Sequence, residues 1–125
     1  MEKSKLKPHP AILLALDLET EESFKSWAID LFQTYHYKVA HFRGAWSKNG
    51  ERFITPVEAD GEGFPDLLAT KGEVTIYAEL KSMRGKVSPK QQEWLEILAE
   101  NPGNQCYIWR PCDRDKIMEV AKNGK

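Results

Sequence analysis

The stretch GFPDLLATKGEVTIYAELK, residues 63–81, decides the fold. Two runs rich in apolar and β-branched residues, 65–70 and 73–81, surround Lys71 and Gly72, and a glycine in a two-residue connection is typical of a tight β-hairpin. We therefore expect two antiparallel strands with Lys71-Gly72 as the turn. Because side chains alternate along a strand, one face of this pair is apolar. That face collects Leu67, Ala69, Val74, Ile76, Ala78 and Leu80.

The opposite face of the hairpin carries two carboxylates and an ammonium group. With the turn placed there, Asp66 lies opposite Tyr77 and diagonal to Glu79, about 7 to 8 Å away at the backbone. Two carboxylates that reach toward one divalent cation at about 2.1 to 2.6 Å can close that gap. Lys81 shares the face and adds a fixed positive charge. Phosphodiester hydrolysis needs an activated water and positive charge near the phosphate, and this set of residues can supply both.

The segments on either side of the hairpin predict an α/β or α+β domain around a mixed sheet. Helical spacing, caps and alternation predict a helix over 20–35, a strand over 37–43, a helix over 88–100, a strand over 105–110 and a helix over 113–121. Thr20 caps the first helix, and Ser88 with Gln91 forms a capping box in the second. Residues 44–63 are expected to form a long loop with a small hairpin through Phe53 and Ile54.

Composition indicates one domain at 18–125 after a lead-in at 1–17. Residues 12–18 are expected to pack as a short helix or as an edge segment. The chain has 125 residues, of which 41% are apolar and 30% charged. No apolar run approaches the roughly 20 residues that span a bilayer, so we expect a cytoplasmic protein with no membrane partner. The net charge of −1 argues against a nucleic-acid partner only as a total, because residues 81–90 are basic and contain no acid.

The motif Pro65-Asp66, followed after the hairpin by Glu79-Leu80-Lys81, resembles the split PD-(D/E)xK signature of metal-dependent nucleases. A wider pattern over about 18–121 comprises Thr20-Glu21, Phe24, His41, Arg84-Gly85-Lys86, Ser88-Pro89-Lys90-Gln91, Trp94-Leu95 and the run from Tyr107 to Pro111. That pattern resembles the VRR-NUC (virus-type replication-repair nuclease) branch. This resemblance implies a restriction-endonuclease-like core, with a central mixed β-sheet flanked by helices on both sides. It also implies a phosphodiesterase that depends on Mg²⁺ or Mn²⁺.

The resemblance also implies roles for individual residues. The metal ligands of the family correspond to Asp66 and Glu79, with the carbonyl of Leu80 as a further ligand, and its catalytic lysine corresponds to Lys81.

Two further residues are implied by the resemblance and have alternative interpretations. Glu21 is the helical glutamate of the site, chosen over Glu22 because it lies on the inward stripe, but an acid in the first turn also suits the helix dipole. Gln91 shares a helical face with apolar residues and would position a water or phosphate, although its capping box explains it without catalysis.

Small stand-alone members of this branch from phages and bacteria are similar to Holliday-junction resolvases that act as homodimers. We therefore expect a DNA endonuclease for branched DNA, working as a homodimer in a bacterial or phage-infected cell. The alternatives are a monomeric flap or duplex-end nuclease, a catalytically silent DNA-binding module, and a plain domain whose acids are solvated. The residues expected to grip phosphates are Arg43, Lys48, Arg84, Lys86 and Lys90.

Overall fold

The computed structural model describes residues 7–42, 45–46, 53–54 and 58–125, with the backbone alone at 45–46 and 53–54. The α-helices in these residues are α1 (Pro10–Leu18), α2 (Glu21–Thr34), α3 (Pro89–Ala99) and α4 (Arg114–Asn123), and a 3-10 turn at Pro111–Asp113 precedes α4. The strands are β1 (Lys38–His41), β2 (Ala45–Trp46), β3 (Phe53–Ile54), β4 (Leu67–Lys71), β5 (Val74–Leu80) and β6 (Asn104–Trp109).

The β4–β5 hairpin forms, but its turn lies one residue later than predicted. Lys71 pairs with Val74, so Gly72 and Glu73 form the connection, and Gly72 has a φ of 58°. The predicted turn at Lys71-Gly72 is wrong because this connection needs glycine at its first position, where the backbone is left-handed.

The later turn moves the register by two residues. Continued one step beyond the pair Leu67 and Ala78, it places Asp66 opposite Glu79 rather than opposite Tyr77. Since side chains alternate with period two, the division into faces survives.

The hairpin lies at the centre of a mixed sheet with strand order β1-β4-β5-β6. Strands β1 and β5 are antiparallel to β4, whereas β6 is parallel to β5. A parallel neighbour requires a crossover, which α3 provides. Strands β2 and β3 form the separate small hairpin predicted through Phe53 and Ile54.

One face of the sheet is covered by α2 and α4 and contains the main core. The apolar hairpin face predicted from alternation is buried there, except that Val74 is only partly buried. Trp109 stacks on Phe32 of α2 at 5.8 Å. Core side chains from the two helices are Phe24, Ala28, Phe32, Ile117, Val120 and Ala121.

The other face of the sheet is covered by α3 through an aromatic cluster. The ring of Phe64 lies 6.0 Å from that of Tyr77 and 5.0 Å from that of Trp94 on α3. The capping box of Ser88 and Gln91 forms as predicted, and Thr20 caps α2. These contacts place the first turn of α3 over the polar face of β5.

Helix α1 lies within the segment expected to lead into the domain. It has no buried residue, and its Ile12, Leu13, Leu14 and Leu18 are exposed. A bidentate ion pair between Asp17 and Arg84 links it to the loop after β5.

Gly63 allows the loop before β4 to approach α3 closely. Its φ is 86°, and an added Cβ would lie 2.7 Å from the carbonyl carbon of Lys90. Glycine avoids both the backbone strain and this collision. The approach places the Gly63 backbone directly against Lys90 and Gln91 in the first turn of α3.

Gly63→Ala should lower the free energy of unfolding by about 3 kcal/mol or more, because backbone strain and a steric clash add. Gly72→Ala is the matched control: its φ is also positive, but nothing lies within 4 Å of the added Cβ. That change should cost about 1 kcal/mol, from strain alone. Urea denaturation measures both values, and equal losses would contradict the argument.

Candidate functional site

Asp66, Glu79 and Leu80 meet where β4 begins and β5 ends. The backbone N–H of Leu80 donates to Asp66 Oδ2 at 3.0 Å. In an antiparallel pair, the N–H and carbonyl of one residue point to the same side of the strand. The Leu80 carbonyl therefore faces the side of β5 on which Asp66 lies.

Glu79 is the buried centre of the site, with 1% of its surface exposed. Its Oε2 accepts a hydrogen bond from Gln91 Nε2 at 3.0 Å and lies 3.4 Å from Lys81 Nζ. Its Oε1 is buried and has no hydrogen-bond partner among the residues that the structure describes. A buried polar atom in this state is costly, so it points to a ligand or a function.

The protonation of Glu79 reflects its burial and its charged neighbours. Burial, followed by the neighbouring Asp66 carboxyl group, raises the pKa of Glu79 to about 8, while Lys81 acts in the opposite direction. Two carboxyl groups that share a site favour a proton or another cation between them.

A divalent cation fits the chemistry of these donors. Two carboxylates and a backbone carbonyl are hard oxygen ligands of the kind that Mg²⁺ and Mn²⁺ prefer. Within the described residues, no group of three or more His, Cys, Asp or Glu side chains is arranged to hold a metal ion. The candidate ligand set predicted from the sequence, two carboxylates and one carbonyl, contains fewer acids than such a group: Asp66, Glu79 and the Leu80 carbonyl.

Glu21 reaches the site only through a lysine that the sequence analysis missed. Lys25 Nζ lies 3.4 Å from Glu21 Oε2 and 3.4 Å from Asp66 Oδ1. Burial acts to lower the pKa of Lys25, but Asp66 and Glu21 outweigh it, so the pKa is raised. The spacing of Glu21 and Lys25, four residues apart on one helix, was a signal that could have identified this pair.

Gln91 forms the predicted capping box and also contacts Glu79, whereas its predicted role in positioning a water or phosphate stays a prediction. Its side-chain oxygen accepts from the Ser88 backbone N–H at 2.8 Å, and its amide nitrogen donates to Glu79. The capping box therefore fixes the side-chain amide of Gln91 through its oxygen, and the amide nitrogen holds Glu79. This contact makes Gln91 a positioning residue for Glu79.

Of the residues expected to grip phosphates, Arg84, Lys86 and Lys90 lie on the exposed surface after β5. Arg84 pairs with Asp17, and Lys90 Nζ lies 2.8 Å from Glu62 Oε2. Arg43 and Lys48 lie outside the described residues.

Arg110 organises the loop that carries Arg84, a role that its position in the sequence motif did not reveal. Its Nη1 donates to the backbone carbonyls of Ser82 at 2.6 Å and Gly85 at 2.7 Å. The guanidinium thus fastens the segment directly after Lys81 to the end of β6.

Fold and site together define an α/β domain whose central hairpin carries two acids and a lysine at one end. The family model of the VRR-NUC domain matches residues 20–108, which is most of the chain. The chain therefore belongs to the VRR-NUC domain family, which confirms the predicted family and fold class. It is accordingly a nuclease domain, with DNA as the implied substrate.

No curated protein and no solved structure shows significant similarity to the chain. Among the helices that the structure describes, none has the length and apolar character needed to cross a membrane.

Glu79→Gln should raise the stability of the metal-free protein near neutral pH. Glu79 has its pKa raised from 4.5 to about 8 in the folded protein, so between these values the folded state binds more protons than the unfolded state. Wild-type stability must then fall as the pH rises through this window, and glutamine removes that loss. We expect a Tm for the variant about 3 °C or more above wild type at pH 8, and a smaller difference at pH 5.

Thermal unfolding in the presence of a chelator measures this difference. The exposed Glu100→Gln is the control and should show no such pH-dependent gain. A Tm difference for Glu79→Gln that stays constant from pH 5 to 8 would show that the buried carboxyl does not carry the effect.

Proposed function

We propose that this protein is a divalent-metal-dependent DNA endonuclease that cleaves branched DNA. The observation that carries the proposal is the buried Glu79 carboxyl group, which lies beside Asp66 and Lys81 and whose Oε1 receives no hydrogen bond from the described part of the chain. That environment suits a site built to accept a cation.

Asp66, Glu79 and the Leu80 carbonyl would hold Mg²⁺ or Mn²⁺. When bound, such an ion supplies the positive charge that phosphodiester hydrolysis needs at the phosphate and leaving oxygen. Lys81 keeps its ammonium 3.4 Å from Glu79, where it can hold the scissile phosphate or orient the attacking water. Gln91 keeps the Glu79 carboxylate in a single orientation.

The exposed residues Arg84, Lys86 and Lys90 would contact phosphates next to the site. Asp17 and Glu62 pair with two of these cations, and exposed ion pairs of this kind exchange readily. Phosphates can therefore replace both acids when DNA binds. Arg43 and Lys48, which lie outside the described residues, stay predicted phosphate contacts.

The preference for branched DNA rests on the resemblance to junction resolvases. A two-fold symmetric junction needs two symmetric cuts, so the proposal includes a homodimer acting in the cytoplasm of a bacterial or phage-infected cell. Cleavage of flaps or duplex ends by a monomer would favour the alternative nuclease. DNA binding without cleavage would favour a silent binding module.

Asp66→Asn and Lys81→Met should each reduce DNA cleavage by about 100-fold or more, because the first removes a metal ligand and the second removes charge at the reacting phosphate. Both should leave folding and DNA binding largely intact. Asp30→Asn and Lys116→Met make the same chemical changes at exposed positions and should retain activity. Full activity in Asp66→Asn or Lys81→Met would contradict the assigned roles.

Four-way junction, flap, single-stranded and duplex DNA, each with Mg²⁺ or Mn²⁺, should distinguish the proposed substrates on a denaturing gel. We expect the junction to be cut fastest, by paired symmetric incisions, and no cleavage after chelation. Sedimentation at micromolar concentration should show a dimer. Preferential cutting of flaps or ends by a monomer would contradict the branched-DNA proposal.

A further inference from the structure

Lys25 occupies a distinctive place beside the candidate metal ligands. It rises from α2, its side chain is only 17% exposed, and its ammonium lies between Glu21 and Asp66 at 3.4 Å from an oxygen of each. Lysine is seldom buried to this extent unless it is paired. The position of Lys25 is thus set by two carboxylates, one of which is a proposed metal ligand.

The two oxygens of Asp66 serve different neighbours. Oδ2 accepts from the Leu80 N–H, on the side where Glu79 and the Leu80 carbonyl lie. Oδ1 faces Lys25. A carboxylate that bridges two metal ions would use its two oxygens in a comparable way, with the ions about 3.5 to 4 Å apart. In this protein the Lys25 ammonium group lies next to Oδ1, where a second ion would bind.

Glu21 is the acid that would complete a second metal position, because it pairs with the same Lys25 ammonium group as Asp66 does. Its Oε2 is paired with Lys25. A divalent ion between Glu21 and Asp66 would either displace the Lys25 ammonium group that both acids already hold or be repelled by it at close range.

We propose that Lys25 supplies the charge that a second metal ion would otherwise supply, so that the site takes one divalent ion, held by Asp66 and Glu79. Glu21 then holds Lys25 in place and is not itself a metal ligand. This inference rests on the proposed metal-dependent function. It makes Lys25 a positioning residue, since it acts through Asp66.

Calorimetric titration with Mn²⁺ alone, without DNA, tests the inference by counting ions. Wild-type protein should bind about one ion per chain, and Lys25→Gln should bind about two, because the freed Glu21 and Asp66 oxygens form a second position. Lys25→Arg keeps the charge and should stay at about one ion. The double variant Lys25→Gln with Glu21→Gln should also return to about one ion, since the second position loses a carboxylate.

Lys116→Gln is the matched control at an exposed lysine and should bind as wild type does. Two ions on the wild-type protein would overturn the inference, whether or not the variants fold. An unchanged count in folded Lys25→Gln would overturn it as well, because Lys25 would not be what excludes the second ion. No Mn²⁺ binding to wild type would instead overturn the proposed function itself.

Discussion

The register of the β4–β5 hairpin is the constraint on which the site depends. Pairing of Leu67 with Ala78 buries the apolar side chains of both strands against α2 and α4, and a slip of one residue would turn those side chains to the opposite face. The same register brings Asp66 to Glu79 and lets the Leu80 N–H hold the Asp66 carboxylate. Packing of the core and assembly of the acids are therefore consequences of one strand pairing.

The site concentrates charge that the folded domain only partly compensates. Glu79 is buried next to Asp66, and the ammonium groups of Lys81 and Lys25 approach the two acids from different sides. Burial of acids beside one another lowers stability, and such a cost is common at functional sites. The net charge of −1 is then the sum of an acidic centre and a basic edge, and it does not exclude a partner as negative as DNA.

Predictions succeeded where the deciding interactions are local. The caps at Thr20 and Ser88 and the alternation in β4 and β5 depend on neighbours a few residues apart, and the structure confirms them. The turn position failed because a two-residue connection can hold glycine at either position, and here the left-handed backbone, with a φ of 58° at Gly72, falls on the first. Lys25 was missed for a different reason: its partner Asp66 lies on another element, more than forty residues away.

By itself, the sequence determined the hairpin, its apolar and polar faces, the helix caps and the acids and lysine of the family motif, because these follow from short-range periodicity and residue chemistry. Tertiary structure alone decided that α3 brings Gln91 onto Glu79, that Arg110 fastens the loop after Lys81, and that Lys25 lies against Asp66. Contacts of this kind depend on how helices pack across a sheet. Spacing along the chain carries little information about that packing, since it is set by the whole core.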